Sequence, residues 1–244
     1  MKKLLIIFIA AIALQSCSCS SEYKKNPVDA LIVQMSDVKP FSIILEDMDV
    51  DGSFSHTYLH KYKIITEDSD SIPQSRITGW EEVSEQYFRK NENNLGMEIA
   101  SKNAEGKLSK SAAPPGYGNY VGNSRYGHWQ TGSNGNSFWS FYGKYMMMST
   151  MFDLMRRPYY RSDYSHYRSG GYYGSSRSYY GQKSSTGSYR YGTNSNYNKQ
   201  TKPSFFQRKA SKRGWSSSSS RSSNSRSTRS RSSSSRSRSG GFGK

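Results

Sequence analysis

The chain of 244 residues has few of the residues that stabilise most small secreted or globular proteins. It contains two cysteines, Cys17 and Cys19, whose positions one residue apart exclude a disulfide-bonded scaffold. Apolar residues make up 33% of the chain, which predicts too little apolar surface for one core spanning it, because burial must offset the entropy of ordering. The longest apolar run, residues 4–14, is too short for a membrane-spanning helix, which needs about 20 residues.

Acidic residues are scarce in the second half of the chain. Residues 111–244 contain 22 Lys and Arg but only two acids, Asp153 and Asp163, whereas residues 17–110 contain 11 basic and 16 acidic residues. The composition changes near residues 112–116, which read Ala-Ala-Pro-Pro-Gly. We therefore predict an acidic folded part joined to a basic low-complexity part, each with different partners.

The amino-terminal residues have the features of an export signal. Lys2 and Lys3 precede the apolar run, and Leu14-Gln15-Ser16-Cys17 follows it. This sequence resembles the lipobox of bacterial lipoproteins: an aliphatic residue three before the cysteine, and a small residue directly before it. The resemblance implies cleavage before Cys17, a diacylglycerol on the Cys17 sulfur, and an acyl chain on the new amino terminus.

The lipobox resemblance also implies where the protein is located. Residues 1–16 would be the signal peptide and residues 17–26 a linker from membrane lipid to the rest of the chain. The protein would lie in the cell envelope, on the inner or outer membrane, facing away from the cytoplasm. No cofactor is expected beyond the lipid on Cys17. The alternative is an ordinary secretory peptide; Cys19 is an odd thiol, either free or paired between molecules.

Residues 27–110 are predicted to form a small acidic α+β module with a β-hairpin and one helix. Strand-length runs rich in β-branched residues lie at residues 29–35, 41–45 and 57–66. Asp51-Gly52 between the second and third runs predicts the hairpin turn. Apolar residues from Trp80 to Leu95 recur at helical spacing and predict the helix, and residues 97–100 predict a last strand.

Three aspartates at alternate positions suggest a metal site. Asp47, Asp49 and Asp51 precede Gly52, as in the opening of a calcium-binding loop. The twelfth position of such a loop requires a glutamate, and here it is Tyr58. We therefore expect a solvated hairpin turn, with a calcium site as the alternative.

Other candidate sites for chemistry in this module are weak. His56 and His60 have the spacing of a zinc-binding helix, but on a strand four residues separate side chains by about 13 Å. We expect both to be surface histidines without a metal. No arrangement of residues typical of a catalytic site is recognised, so we expect that the protein is not an enzyme. An enzyme or metal protein built on residues 27–110 is kept as a further alternative.

Residues 111–157 begin as a loop rich in glycine and aromatic residues and end in a methionine-rich run. Residues 138–155 place aromatic residues and methionines near one helical face, and Arg156-Arg157-Pro158 would stop the helix. Three interpretations stay open: a helix packed on the module, a helix lying in a membrane interface, or a second span. Lys144 opposes the span, because a lysine near the bilayer centre costs about 2.5–3.5 kcal/mol.

Residues 158–244 are predicted to be a mostly disordered basic tail. Its first part repeats tyrosine with glycine, serine and arginine, a composition that favours weak self-association through stacking and cation–π contacts. Its second part is almost entirely serine and arginine, and the arginines predicted to bind anions are Arg221, Arg226, Arg229, Arg231, Arg236 and Arg238. A flexible polycation of this kind binds polyanions, with affinity that falls as salt rises.

These features together predict a lipid-anchored envelope protein of structural or interaction type. Its partners would be membrane lipid through the anchor, and anionic envelope polymers or lipids through the tail. The tail also resembles the Arg/Ser domains of eukaryotic splicing factors, which gives a nucleic-acid-binding protein as the alternative. The export signal makes nucleic acid the less expected partner.

Overall fold

The computed structural model describes residues 26–52, 55–185, 187–212 and 215. Both helices and antiparallel sheets are present, as the α+β prediction requires. The strands are β1 (Phe41–Asp51), β2 (Thr57–Glu67), β3 (Pro73–Ile77), β4 (Glu81–Val83), β5 (Glu98–Lys102), β6 (Leu108–Ser109), β7 (Gly127–Thr131) and β8 (Ser137–Phe141). The helices are α1 (Pro27–Gln34), α2 (Glu85–Lys90), α3 (Met148–Met151), α4 (Arg161–Ser169), α5 (Asn196–Thr201) and α6 (Pro203–Ser211), with a 3₁₀ turn at Gly143–Tyr145.

The main sheet is built on the hairpin predicted from the sequence. Its strand order is β3-β2-β1-β5-β6, and β4 also pairs with β2. Phe41 lies opposite Thr66 and Asp51 opposite Thr57, which confirms the antiparallel hairpin of β1 and β2. The last strand predicted at residues 97–100 is observed as β5, which pairs with the first part of β1. Beyond Ile44 no strand pairs with that edge of β1 in the described part of the chain, and helix α6 lies against β1.

Hydrophobic residues are buried on both faces of this sheet. Side chains of successive strand residues point to opposite faces, so Ile43 and Leu45 pack in one core while Ile44 packs in the other. Helices α1, α2 and α6 contribute to the first core. The second core consists largely of residues after position 111, half of them tyrosines. The sheet is therefore an inner layer between two cores.

This arrangement corrects the prediction of a small independent module at residues 27–110 followed by a mostly disordered half. Within residues 158–212, Tyr159, Tyr167, Tyr179, Tyr191 and Phe205 are all buried. The physical reason is that a tyrosine ring buries a large apolar area, and the hydroxyls of Tyr117, Tyr179 and Tyr191 contact polar partners in this core. The apolar count of 33% already included tyrosine; the core was missed because tyrosines spaced by glycine and serine are also typical of disordered tracts. The serine- and arginine-rich residues 216–244 lie outside the described residues.

The strand predicted at residues 29–35 is wrong, because this segment is helix α1. The Asn26 side chain accepts a hydrogen bond from the Val28 amide, and Pro27 occupies the first turn. An asparagine cap followed by proline is a strong start signal for a helix. It outweighs the strand preference of the β-branched residues that follow.

The helix predicted from Trp80 to Leu95 is mostly wrong. Residues 81–83 form β4, and the helix is limited to α2 at Glu85–Lys90. The Ser84 hydroxyl accepts from the Tyr87 amide and caps α2. Pairing of Tyr58 with Val83 across β2 and β4 holds the preceding residues extended.

The long helix predicted at residues 138–155 is also wrong. Its first part is strand β8, where Trp139 lies opposite Trp129 of β7. Gly143, with φ of +57°, follows the strand, and α3 then contains only four residues. No helix within the described part of the chain is long and apolar enough to cross a membrane.

Candidate functional site

A cavity of about 540 Å³ lies between residues 156–163 and residues 182–200. Its charged lining residues are Arg156, Arg157, Lys183, Arg190 and Asp163, and its tyrosines are Tyr160, Tyr189 and Tyr197. We call this cavity the cationic cleft. Asp163 is the one acidic side chain among the described residues that line it. Neither it nor any other described carboxylate lies within ion-pair distance of these four cations.

Arg157 is the most deeply placed cation of the cleft. It is 8% exposed, and its guanidinium lies 4.8 Å from the centre of the Tyr191 ring and 4.4 Å from that of Tyr197. Ring faces attract a cation and lower the cost of removing it from water. The Arg157 Nε atom is buried and has no hydrogen-bond partner among the described residues. Such a donor is costly to leave unpaired.

The Asp163 carboxylate accepts hydrogen bonds from two buried tyrosines. One oxygen accepts from the Tyr117 hydroxyl at 2.9 Å and the other from the Tyr179 hydroxyl at 2.8 Å. Tyr117 and Tyr191 hydroxyls are 3.2 Å apart. Burial, followed by the Asp163 charge, raises the pKa of Tyr191 to about 12, so this hydroxyl keeps its proton near neutral pH. Both oxygens of Asp163 are therefore used by hydrogen bonds within the second core.

Arg190 joins the two segments that form the cleft. Its Nη2 atom donates to the Pro158 carbonyl at 2.7 Å, and its Nε atom donates to the Tyr191 hydroxyl at 3.3 Å. The same guanidinium lies 4.9 Å from the centre of the Tyr160 ring. The Ser195 side chain caps helix α5 by accepting a hydrogen bond from the Asn198 amide. Helix α5 supplies Tyr197 to the cleft. The cleft is thus held in place by contacts between distant parts of the sequence.

Two of the three aspartates proposed as a metal site, Asp47 and Asp49, contact cations of helix α6 and of the residue that follows it. Both oxygens of Asp47 lie 2.7 Å from Arg208 Nη2, and Asp49 contacts Lys212 at 2.8 Å. Asp51 accepts from the Gly52 amide. Among the described residues, no group of three or more His, Cys, Asp or Glu side chains is arranged to hold a metal ion.

One of the two histidines differs from its expected position. His60 is fully buried, which corrects its prediction as a surface residue. Its Nδ1 atom lies 3.0 Å from the Tyr62 hydroxyl. His56 lies at the hairpin turn, with Nδ1 3.1 Å from the Gly52 carbonyl. Alternation along β2 buries Tyr58, His60 and Tyr62 on one face, and this period-two pattern was visible in the sequence.

Glu98 is a second buried carboxylate that sequence reasoning missed. It accepts from the Ser42 hydroxyl at 2.7 Å and from the Gly116 amide at 2.9 Å. Burial raises its pKa, and these hydrogen bonds oppose the rise. Because Glu98 is on β5 and Gly116 begins the loop of the second core, this contact attaches the tyrosine-rich part to the sheet.

The other predicted site residues lie outside the described part of the chain. They are Cys17, Cys19, Arg221, Arg226, Arg229, Arg231, Arg236 and Arg238. Trp215 is described, and it packs against Phe88 and Phe205 with its carbonyl 2.6 Å from Arg89 Nη1. The serine- and arginine-rich sequence therefore begins directly after a residue fixed in the first core.

Comparisons of the chain with protein-family models, with curated proteins and with solved structures give no match in any of the three.

Proposed function

We propose that this chain is a lipid-anchored bacterial cell-envelope protein of structural or interaction type that holds anionic envelope polymers. Cys17 would carry the lipid, and two basic regions would contact the polymer: the folded surface around the cationic cleft and the arginine-rich residues 216–244. The observation that carries the proposal is the cleft, where four cations line one cavity and none of them forms an ion pair with a carboxylate of the described residues.

The charge distribution of the folded part supports this proposal. Residues 111–212 contain 14 Lys and Arg but only Asp153 and Asp163 as acids, and Asp163 is buried among tyrosines. By contrast, Asp47 and Asp49 on β1 are paired with Arg208 and Lys212. Among the described residues, positive charge without an ion-pair partner is therefore found mainly around the second core, where it would raise the local concentration of polyanions.

Lipid attachment is tested by metabolic labelling with a palmitate analogue. We expect the unmodified chain and Cys19→Ser to incorporate the label in the envelope fraction, and Cys17→Ser to incorporate none. Cys19→Ser is the matched control because it removes a thiol only two positions away. Label retained by Cys17→Ser would contradict anchoring through this cysteine.

Polymer binding is tested by sedimentation of the full chain with lipopolysaccharide at several salt concentrations. Replacing the six tail arginines by glutamine should weaken binding and flatten its salt dependence, because fewer counterions are released. Replacing the same six by lysine preserves the charge and should preserve the binding. Binding that does not change with salt, or that the glutamine variant keeps in full, would refute the contribution of the tail.

A further inference from the structure

We propose that the cationic cleft is a site for one phosphorylated sugar, and that it recognises the phosphate-bearing unit of the polymer bound under the proposed function, on which this inference rests. The tail would supply affinity that depends on charge alone. The cleft would supply recognition of a single unit through fixed side chains.

The charges of the cleft favour an anion. Arg156, Arg157, Lys183 and Arg190 line one cavity, and no described carboxylate lies within ion-pair distance of any of them. Grouped like charges repel one another, and Asp163 already accepts from two tyrosines. A bound anion would relieve this repulsion.

The buried Arg157 points to an oxygen-rich anion in particular. The residue is 8% exposed, and it lines both the cationic cleft and a second cavity of about 210 Å³. The planar guanidinium matches phosphate oxygens in a two-bond geometry. A phosphate monoester carries nearly two charges at neutral pH and three acceptor oxygens, so it can contact several of the cations at once.

The rest of the lining fits a sugar. Tyr189 is 45% exposed and lies beside Lys183, whose ammonium is 4.9 Å from the centre of its ring. Tyr160 and Tyr197 add further ring surface, while Gln182 and Gln200 supply amides that both donate to and accept from hydroxyls. Small-molecule sites commonly combine such apolar surface with a few polar groups in a cavity of about 300–1,000 Å³.

The experiment is calorimetric titration of the full chain with glucose 1-phosphate, glucose and inorganic phosphate at constant ionic strength. We expect glucose 1-phosphate to bind at one site, glucose to give no binding, and phosphate to bind at least tenfold more weakly. Equal binding of phosphate and glucose 1-phosphate would overturn the sugar component. Absence of glucose 1-phosphate binding would overturn the site.

Variants locate the site. Lys183→Ala removes an exposed side chain of the cleft and should weaken binding of glucose 1-phosphate about fivefold. Lys199→Ala removes an exposed lysine that does not line the cleft and should change it less than twofold. Arg157→Lys keeps the charge but loses the planar geometry, so we expect a tenfold or greater loss. Equal affinity of all three variants would refute the placement in this cleft.

Two further measurements separate the possible outcomes. The variant with the six tail arginines replaced by glutamine should bind glucose 1-phosphate as the unmodified chain does. If this variant loses polymer binding, the result concerns the tail's part in the proposed function and leaves the sugar-phosphate site in the cleft unaffected. Lipopolysaccharide should displace glucose 1-phosphate from the cleft, whereas phosphatidylglycerol vesicles at the same total phosphate concentration should not. Displacement by the vesicles would assign the cleft to lipid headgroups and overturn the sugar assignment.

Discussion

Acidification should unfold this protein largely through His60. The ring is fully buried beside Phe88 and Tyr87, and burial lowers its pKa to about 3 from 6.5. Between these two values the unfolded chain binds one more proton than the folded chain, so stability falls as pH falls. The slope is half of its full value at pH 6.5 and approaches about 1.4 kcal/mol per pH unit as the pH falls further, which gives a loss of about 2 kcal/mol between pH 6.5 and pH 4.5.

The assay is urea unfolding of the full chain, followed by circular dichroism, at half-unit steps of pH. His60→Leu should remove this part of the pH dependence, while His56→Leu should keep the slope of the unmodified chain. When the free energies of unfolding of a variant and of the unmodified chain are compared at the same pH, the contributions of other titratable groups cancel. Glu98 is one of these groups, and its raised pKa stabilises the folded chain as the pH falls, opposite to the effect of His60. Identical slopes for His60→Leu and the unmodified chain would refute the assignment of the acid sensitivity to His60.

Three further predictions concern stability. Trp215→Ala should lower the free energy of unfolding by about 3–5 kcal/mol, because it empties a buried site, and a loss below about 1 kcal/mol in urea unfolding would contradict that packing. Tyr117→Phe should cost about 2 kcal/mol by removing a donor from the buried Asp163 carboxylate; an unchanged urea midpoint would argue against the hydrogen bond. Asp47→Asn should cost about 1 kcal/mol by weakening the partly exposed pair with Arg208, and this loss should shrink in 1 M salt, whereas a salt-independent loss would point to a different cause.

The sequence predicts the hairpin because two runs of β-branched and aromatic residues flank Asp51-Gly52. Helix α1 was misread because its interior contains Leu31, Ile32 and Val33, although the decisive signal was the Asn26-Pro27 start. Periodicity over a few residues does not distinguish a strand from a short helix. The residues that cap a helix supply the information needed to distinguish the two.

The second core was missed because its tyrosines are spaced by glycine and serine, which is also the composition of disordered tracts. The sequence Tyr-Tyr-Gly occurs at residues 172–174 and again seven positions later at 179–181. The first tyrosines of the two copies nevertheless differ, because Tyr179 is 2% exposed while Tyr172 is only partly buried. Long-range contacts decide between them: the Tyr179 amide donates to the Ala112 carbonyl. Local sequence does not contain that information.

The cleft could be predicted only in part. Arg156-Arg157-Pro158 was recognised as the end of a helix, and the tail arginines were expected to bind anions. The cleft instead brings Arg157 together with Lys183 and Arg190, which are more than 25 positions away, through the buried network of Asp163. A charge count indicates an anionic partner, but the place of binding depends on the fold.

The most direct test of the envelope assignment is the mass of the amino-terminal peptide of the chain isolated from cells. We expect a peptide that begins at Cys17 and carries a diacylglycerol and an acyl chain, recovered from the membrane fraction. An unacylated chain that keeps residues 1–16 and is recovered with nucleic acid from the cytosol would contradict the assignment and favour a nucleic-acid-binding protein.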